Sequence, residues 1–437
     1  MQAYLLDTGR RISPFDEPVG EMRVHNRRLR DHQTDILEAL GCQVRVIDDP
    51  RDARTAPCLL IHDDVYFTYH AAKGFLAAVR RQERTAGSAG DGKNPSAGNF
   101  GAALTVSPLT ENFVPSFQGR QVANADGQRY RAYDFFYLRR WDQAMPPSDQ
   151  VELLPIGHRL MVRRWRVNRY FDPSGSISLP MSPVAMCPVQ HWSSLLAANI
   201  LGMPSFTLRS LTRSVVKTAT LPLCIAWRAG SPWPSRLRGK LYLAGAGCKV
   251  HPTAHVEGAV LGRGVRVGPH AVIRGSVLAN RVEIGPGAIV ECSTLGEKVT
   301  VNGNVTLRSC VVGDGANIGA FFTQLSVVGR GAVLCPTSAL FDFNLRGSVN
   351  VSFDSRSVAS GSKLLGGCAG HGAFLGAEVA VAPGQELPNG CILVRTPREV
   401  VGDVRQGMPP GIVRMDRTTT RQKNDGQKNG DGVGIAQ

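Results

Sequence analysis

From Val250 onward the chain repeats an aliphatic residue every 17 positions, at Val250, Val267, Ile284, Val301 and Ile318. Each is followed by a small or polar turn such as Val-His-Pro-Thr-Ala or Ile-Gly-Pro-Gly-Ala. Two further series keep the spacing: Val256, Ile273, Val290 and Leu307, then Leu261, Leu278, Leu295 and Val312. Three inward positions per period describe a coil with three flat faces, each a short strand pointing one aliphatic side chain inside. Coils stacked roughly 4.8 Å apart pair their backbones with the next coil, so the pattern predicts a parallel β-helix from about Val250 to Val394. The next members, Val328 and Leu334, arrive one residue early, which predicts one coil of 16 residues. Between Ala339 and Lys363 the pattern fails and returns at Phe374, which predicts an inserted loop, the place where a solenoid usually carries function.

The front half has a different rhythm. Strands are expected at Tyr4–Leu6, Val44–Ile47, Leu59–Ile61 and Ala103–Val106, with helices over Asn26–Leu40, ended by Gly41, and over His70–Arg81. This alternation predicts an α/β domain with a mainly parallel sheet. The small, polar run over 84–98 reads as a surface loop, and the tail 414–437 as disorder. The expected organisation is an α/β domain over 1–190, a helical linker over 191–245, the β-helix over 246–400 and the tail.

The formal charge of +15 is carried by arginine clusters such as Arg27-Arg28-Leu29-Arg30, which favours anionic partners or simply marks a basic surface. No recognition motif interleaves with these arginines, so nucleic acid is not an expected partner. The ten cysteines form no C-x-x-C pair and no metal spacing, which fits reduced thiols in a cytoplasm. No secretory leader or bilayer-spanning run is legible. Residues 205–229 mix aliphatic and basic residues as a membrane-surface segment would, with Pro222 as an interruption.

The repeat resembles the hexapeptide-repeat acyltransferase superfamily, whose motif is an aliphatic residue, Gly, two variable positions and a small residue. That resemblance implies a left-handed helix and a homotrimer; spacing alone sets no handedness. It also makes His371, beside the insertion, a candidate general base for attack on an acyl-CoA thioester. The opening Leu5-Leu-Asp-Thr-Gly-Arg-Arg-Ile-Ser-Pro, with Asn26 and a helix ending in Leu-Gly, resembles the start of sugar-1-phosphate nucleotidyltransferases. That family has a glycine-rich G-x-G-T-R loop and a later Pro-Lys pair. Here Gly9, Arg10, Arg11 and Pro14 stand in matching places, while the Pro-Lys pair reads Pro18-Val-Gly-Glu21. The order of the two parts is similar to the bifunctional uridylyltransferase and acetyltransferase enzymes.

The resemblance implies phosphate binding by Gly9, Arg10 and Arg11, and Mg²⁺ held by Asp63 and Asp64. The residues themselves also fit a strand-end turn with exposed arginines and an ordinary Asp pair. Three readings follow: a nucleotide-sugar enzyme taking a nucleotide sugar or sugar phosphate, an acyl-CoA-dependent transferase with a substrate-binding front domain, and a non-catalytic sensor or scaffold.

Overall fold

The computed structural model describes residues 1–88, 99–105, 120–123, 129–139, 151–157, 161–166, 175–212, 215–230, 233 and 237–395. The predicted tail and the 89–98 part of the predicted 84–98 loop lie outside these residues. Residues 1–393 form one compact unit.

The front region is built on a sheet of β1 (Gln2–Leu6), β2 (Gln43–Ile47), β3 (Cys58–His62), β4 (Phe100–Thr105), β5 (Arg120–Ala123), β6 (Arg129–Leu138) and β7 (Glu152–Ile156). Its order is β7-β4-β6-β3-β1-β2, with β5 paired to β6. β1 lies parallel to both β2 and β3, and β7 parallel to β4, whereas β6 runs antiparallel to β3, β4 and β5. The expected mainly parallel sheet is therefore a mixed one. Hydrophobic alternation reports which face is buried, not strand direction, and β6 carries the continuous buried run Phe135–Leu138 that either sense would accept.

Helix α1 (Leu29–Ala39) starts later than the predicted Asn26. His25 and Asn26 both have positive φ, 49° and 65°, and close a tight hairpin between Arg23–Val24 and Arg27–Arg28. Left-handed residues cannot join a right-handed helix, so α1 begins only after the hairpin. Helix α2 (Tyr69–Ser88) runs past the predicted Arg81, so residues 84–88 are helix rather than loop. Thr85 bonds back to the Arg81 carbonyl at 3.0 Å and extends the turn.

Helices α3 (Trp192–Thr212) and α4 (Val215–Ala229) link the front region to the coils. Pro204 and Pro222 lie inside them, so Pro222 does not end the segment as its chemistry suggested.

The repeats form the three-faced parallel β-helix that the spacing predicts. Two faces are eight-stranded parallel sheets and the third has five strands. The register joins Val250, Val267, Ile284, Val301, Ile318 and Leu334 on one face and Leu261, Leu278, Leu295, Val312 and Val328 on another. Leu307 pairs with Thr323, 16 residues on, while Ile318 keeps the 17-residue step from Val301. The lost residue is therefore in the Gly319–Phe322 corner.

Val328 next pairs with Ala369 and Leu340 with Val381, so the insertion falls between Leu340 and Cys368. It folds as an antiparallel hairpin of β8 (Asn350–Phe353) and β9 (Arg356–Ala359). Val349 and Val351 of this insertion join a buried cluster with Ile12, Phe15 and Trp192 of the front and Val311 and Val327 from the outside of the coils. The insertion thus braces the front region against the β-helix.

Candidate functional site

The carboxyl ends of β1 and β3 lie side by side, the position at which open α/β sheets usually bind ligands. β1 runs into Asp7-Thr8-Gly9-Arg10 and β3 into His62-Asp63-Asp64. Gly9 has φ of +63° with nothing within 4 Å of a notional Cβ, and its N–H donates to Asp7 Oδ1 at 2.8 Å. Between the two loops is a cleft of about 400 Å³ lined by Thr8, Arg10, His62, Asp64, Asp134 and Gln190. A cleft of this size is within the ordinary range for small-molecule sites.

The two acids do different things because successive residues point to opposite sides. Asp64 faces the cleft, where Gln190 donates to its Oδ2 at 2.9 Å and Oδ1 has no hydrogen-bond partner. Asp63 lies behind the cleft. Its Oδ1 accepts from the Thr8 amide at 3.1 Å and the Thr8 hydroxyl at 2.8 Å, while Oδ2 is 3.8 Å from Arg30. Arg30 also donates to Asp7 at 2.6 Å, so Asp63, Asp7 and Arg30 hold the loop from below.

Both acids are almost fully buried. Burial raises the pKa of Asp63 against the lowering bonds from Thr8. Burial likewise raises Asp64, opposed by Gln190, His62 and Arg10. A buried carboxylate oxygen without a donor is costly unless a proton or cation compensates it. Among the described residues no group of three or more acidic, His or Cys side chains converges as a complete metal site. Mg²⁺ requires few protein oxygens, because it keeps water and substrate oxygens as its other ligands, so the donor chemistry of Asp64 suits it.

The GMPPB C-terminal domain matches residues 239–328. This match covers the first coils and supports a hexapeptide-repeat region there. A hexapeptide transferase family protein from Anaplasma phagocytophilum is similar at 16% identity over 35% of this chain and 72% of that protein, with a TM-score of 0.18. No curated protein matches the chain.

The other expected site residues lie apart from the cleft. Arg11 pairs with the exposed Asp16 at 2.7 Å. His371 is on the β-helix, against the front region: its ring lies tilted against Phe15, centroids 4.8 Å apart, and its Nδ1 accepts from the Arg330 amide at 2.9 Å. Its Nε2 lies 3.5 Å from Glu17, and burial, followed by the Arg330 cation, lowers its pKa. This environment fixes the ring in the junction and turns neither nitrogen toward an open groove.

Sequence reading missed Asp7, Thr8, Arg30, His62, Asp134 and Gln190. Asp7 and Thr8 had a usable signal, since both follow a predicted strand directly. Arg30, Asp134 and Gln190 come from segments remote from the loops. A second missed cluster is the tie between front and coils, where Glu386 accepts from Ser13 at 2.6 Å and Trp192 at 2.9 Å and pairs with His191 at 2.8 Å.

Proposed function

We propose that this chain is an enzyme of nucleotide-sugar metabolism whose front cleft takes the phosphate end of a nucleotide sugar or sugar phosphate. The observation that carries this reading is the buried Asp64 Oδ1, without a donor, in one cleft with Arg10 at the carboxyl ends of parallel strands. Asp64 would hold Mg²⁺, which would neutralise phosphate charge. Arg10 would add a guanidinium fork to the phosphate oxygens, and Asp63 would keep Thr8 and Gly9 in place. The chemistry would be nucleotidyl transfer: a sugar-phosphate oxygen would attack the α-phosphorus of a nucleoside triphosphate, the bond from that phosphorus to the bridging oxygen of the β-phosphate would break, and pyrophosphate would leave. The β-helix, left-handed and homotrimeric in this reading, would assemble the subunits. The match to a GMPPB C-terminal domain supports this pairing of parts.

A thermal-shift panel of nucleotide sugars and sugar phosphates, with and without Mg²⁺, tests the reading. A ligand at 100 times its dissociation constant adds about 2.7 kcal/mol to stability. A Mg²⁺-dependent shift with one class, lost in Asp64→Asn, is expected; no shift with any member overturns it.

A second reading, acyl transfer from acyl-CoA, is favoured by a groove of about 590 Å³ along the coil corners that includes Lys249, His251 and Arg266. An acyl-CoA shift that persists in Asp64→Asn would move the function there.

A further inference from the structure

Helix α4 presents an apolar face that the other described residues leave exposed. Leu223 is 75% exposed and Trp227, one turn further, 87%; Trp233, just beyond the helix, is 71% exposed. Residues four apart share one helix face, so Ala219, Leu223 and Trp227 form a single exposed stripe. The opposite side is anchored. Arg228 lies over the Tyr242 ring at 4.2 Å and donates to the Tyr242 carbonyl at 2.8 Å, which fixes α4 on the first coil and turns the stripe outward.

Charge decides what covers this stripe. Between Asp172 and Glu257 the sequence has no acidic residue and eight Lys or Arg: Arg209, Arg213, Lys217, Arg228, Arg236, Arg238, Lys240 and Lys249. A second copy meeting this face across a two-fold axis would set like charges against like, with no acid in the segment to relieve them. An anionic bilayer complements both features. Exposed Trp and Leu would enter the headgroup boundary, where tryptophan is favoured, and the segment's excess of positive charge favours an anionic surface over a neutral one. Among the described residues no helix is long and apolar enough to cross a membrane, so α4 would lie in the surface.

We propose that the α4 face is a peripheral membrane-docking site that binds anionic lipid surfaces. The test is co-sedimentation of the full chain with vesicles of equal parts phosphatidylserine and phosphatidylcholine, against pure phosphatidylcholine, at low and high salt. The proposal expects binding to the anionic vesicles, weakened by salt. The double variant Leu223→Glu with Trp227→Glu should reduce binding about tenfold or more while its thermal melt stays unchanged, because both side chains are exposed. A blue shift of tryptophan fluorescence on vesicle addition, reduced in Trp227→Phe, should accompany it. Failure to sediment with anionic vesicles, or equal sedimentation of the double variant, overturns the proposal. So does a double variant that turns an oligomer into a smaller species and leaves vesicle binding intact, which would make the face a contact between copies.

Discussion

The β-helix and the front region bury comparable aliphatic cores by opposite means. In the coils one job recurs, so Val256, Ile273, Val290 and Leu307 fill the same position on successive floors, each touching mainly its neighbours. In the front region and its junction every buried residue is unique. Trp192 packs with Ile12, Phe15 and Val351 and donates its indole N–H to Glu386, joining four distant stretches of chain. Redundancy confines damage, whereas uniqueness spreads it.

Two alanine substitutions break or sustain this contrast, both at fully buried positions. Trp192→Ala should cost about 3–5 kcal/mol and split calorimetric melting into two transitions, because it removes the centre of the junction cluster and a bond to Glu386. Leu307→Ala should cost about 2–5 kcal/mol with a single transition, its effect limited to adjacent coils as in other solenoids. Two transitions for Leu307→Ala, or one for Trp192→Ala, would reverse the comparison.

Acid should undo the front region before the junction. Burial lowers His25 to about 3 and His32 to about 4, against backbone bonds to Asn199 and Phe67 that raise them. Both rings are neutral when folded but charge near 6.5 when unfolded, so their contribution is complete above 6.5. It is lost as pH falls from 6.5 toward 4 and 3, at up to about 1.4 kcal/mol per pH unit for each ring. Glu386 has the opposite sign. Burial would raise its pKa, but the bonds from His191, Ser13 and Trp192 outweigh it and hold the carboxyl below 4.5. Its contribution is therefore present above 4.5 and lost below. Melts across about pH 7 to 4 should fall steadily in the native chain. Glu386→Gln should lie about 1–3 kcal/mol lower near neutrality and converge with the native chain below 4.5. A gap that persists in acid would assign Glu386 a packing role.

The same contrast explains what the sequence could disclose. A 17-residue period repeats its evidence at every coil, so even the single-residue shortening before Val328 could be located and the insertion bounded. The cleft is assembled from segments that meet only in the fold. Gly9, Arg10 and Asp64 were visible because they follow predicted strands, but no local pattern links Gln190 to Asp64 or Arg30 to Asp7. Sequence also assigned Asp63 and Asp64 one role, because side-chain direction at a strand end depends on where the strand stops. His371 stood out for its place beside the irregular segment, yet that segment folds as the hairpin that helps seal the junction around Phe15 and Trp192.

The smallest effect sharpens the comparison at its edge. Arg23, in the hairpin before α1, grips both oxygens of Asp314 on the coils at 3.0 and 2.7 Å. Its side chain is 43% exposed and that of Asp314 27%, so water and salt screen the pair, and such bridges contribute about 0–1 kcal/mol. If the junction rests on the apolar cluster and Glu386, Arg23→Ala should shift the melt only within that range, and high salt should erase the difference. A separate early transition in Arg23→Ala, suppressed in neither buffer, would mean that this exposed pair sets the docking of the front region and that the buried cluster follows it.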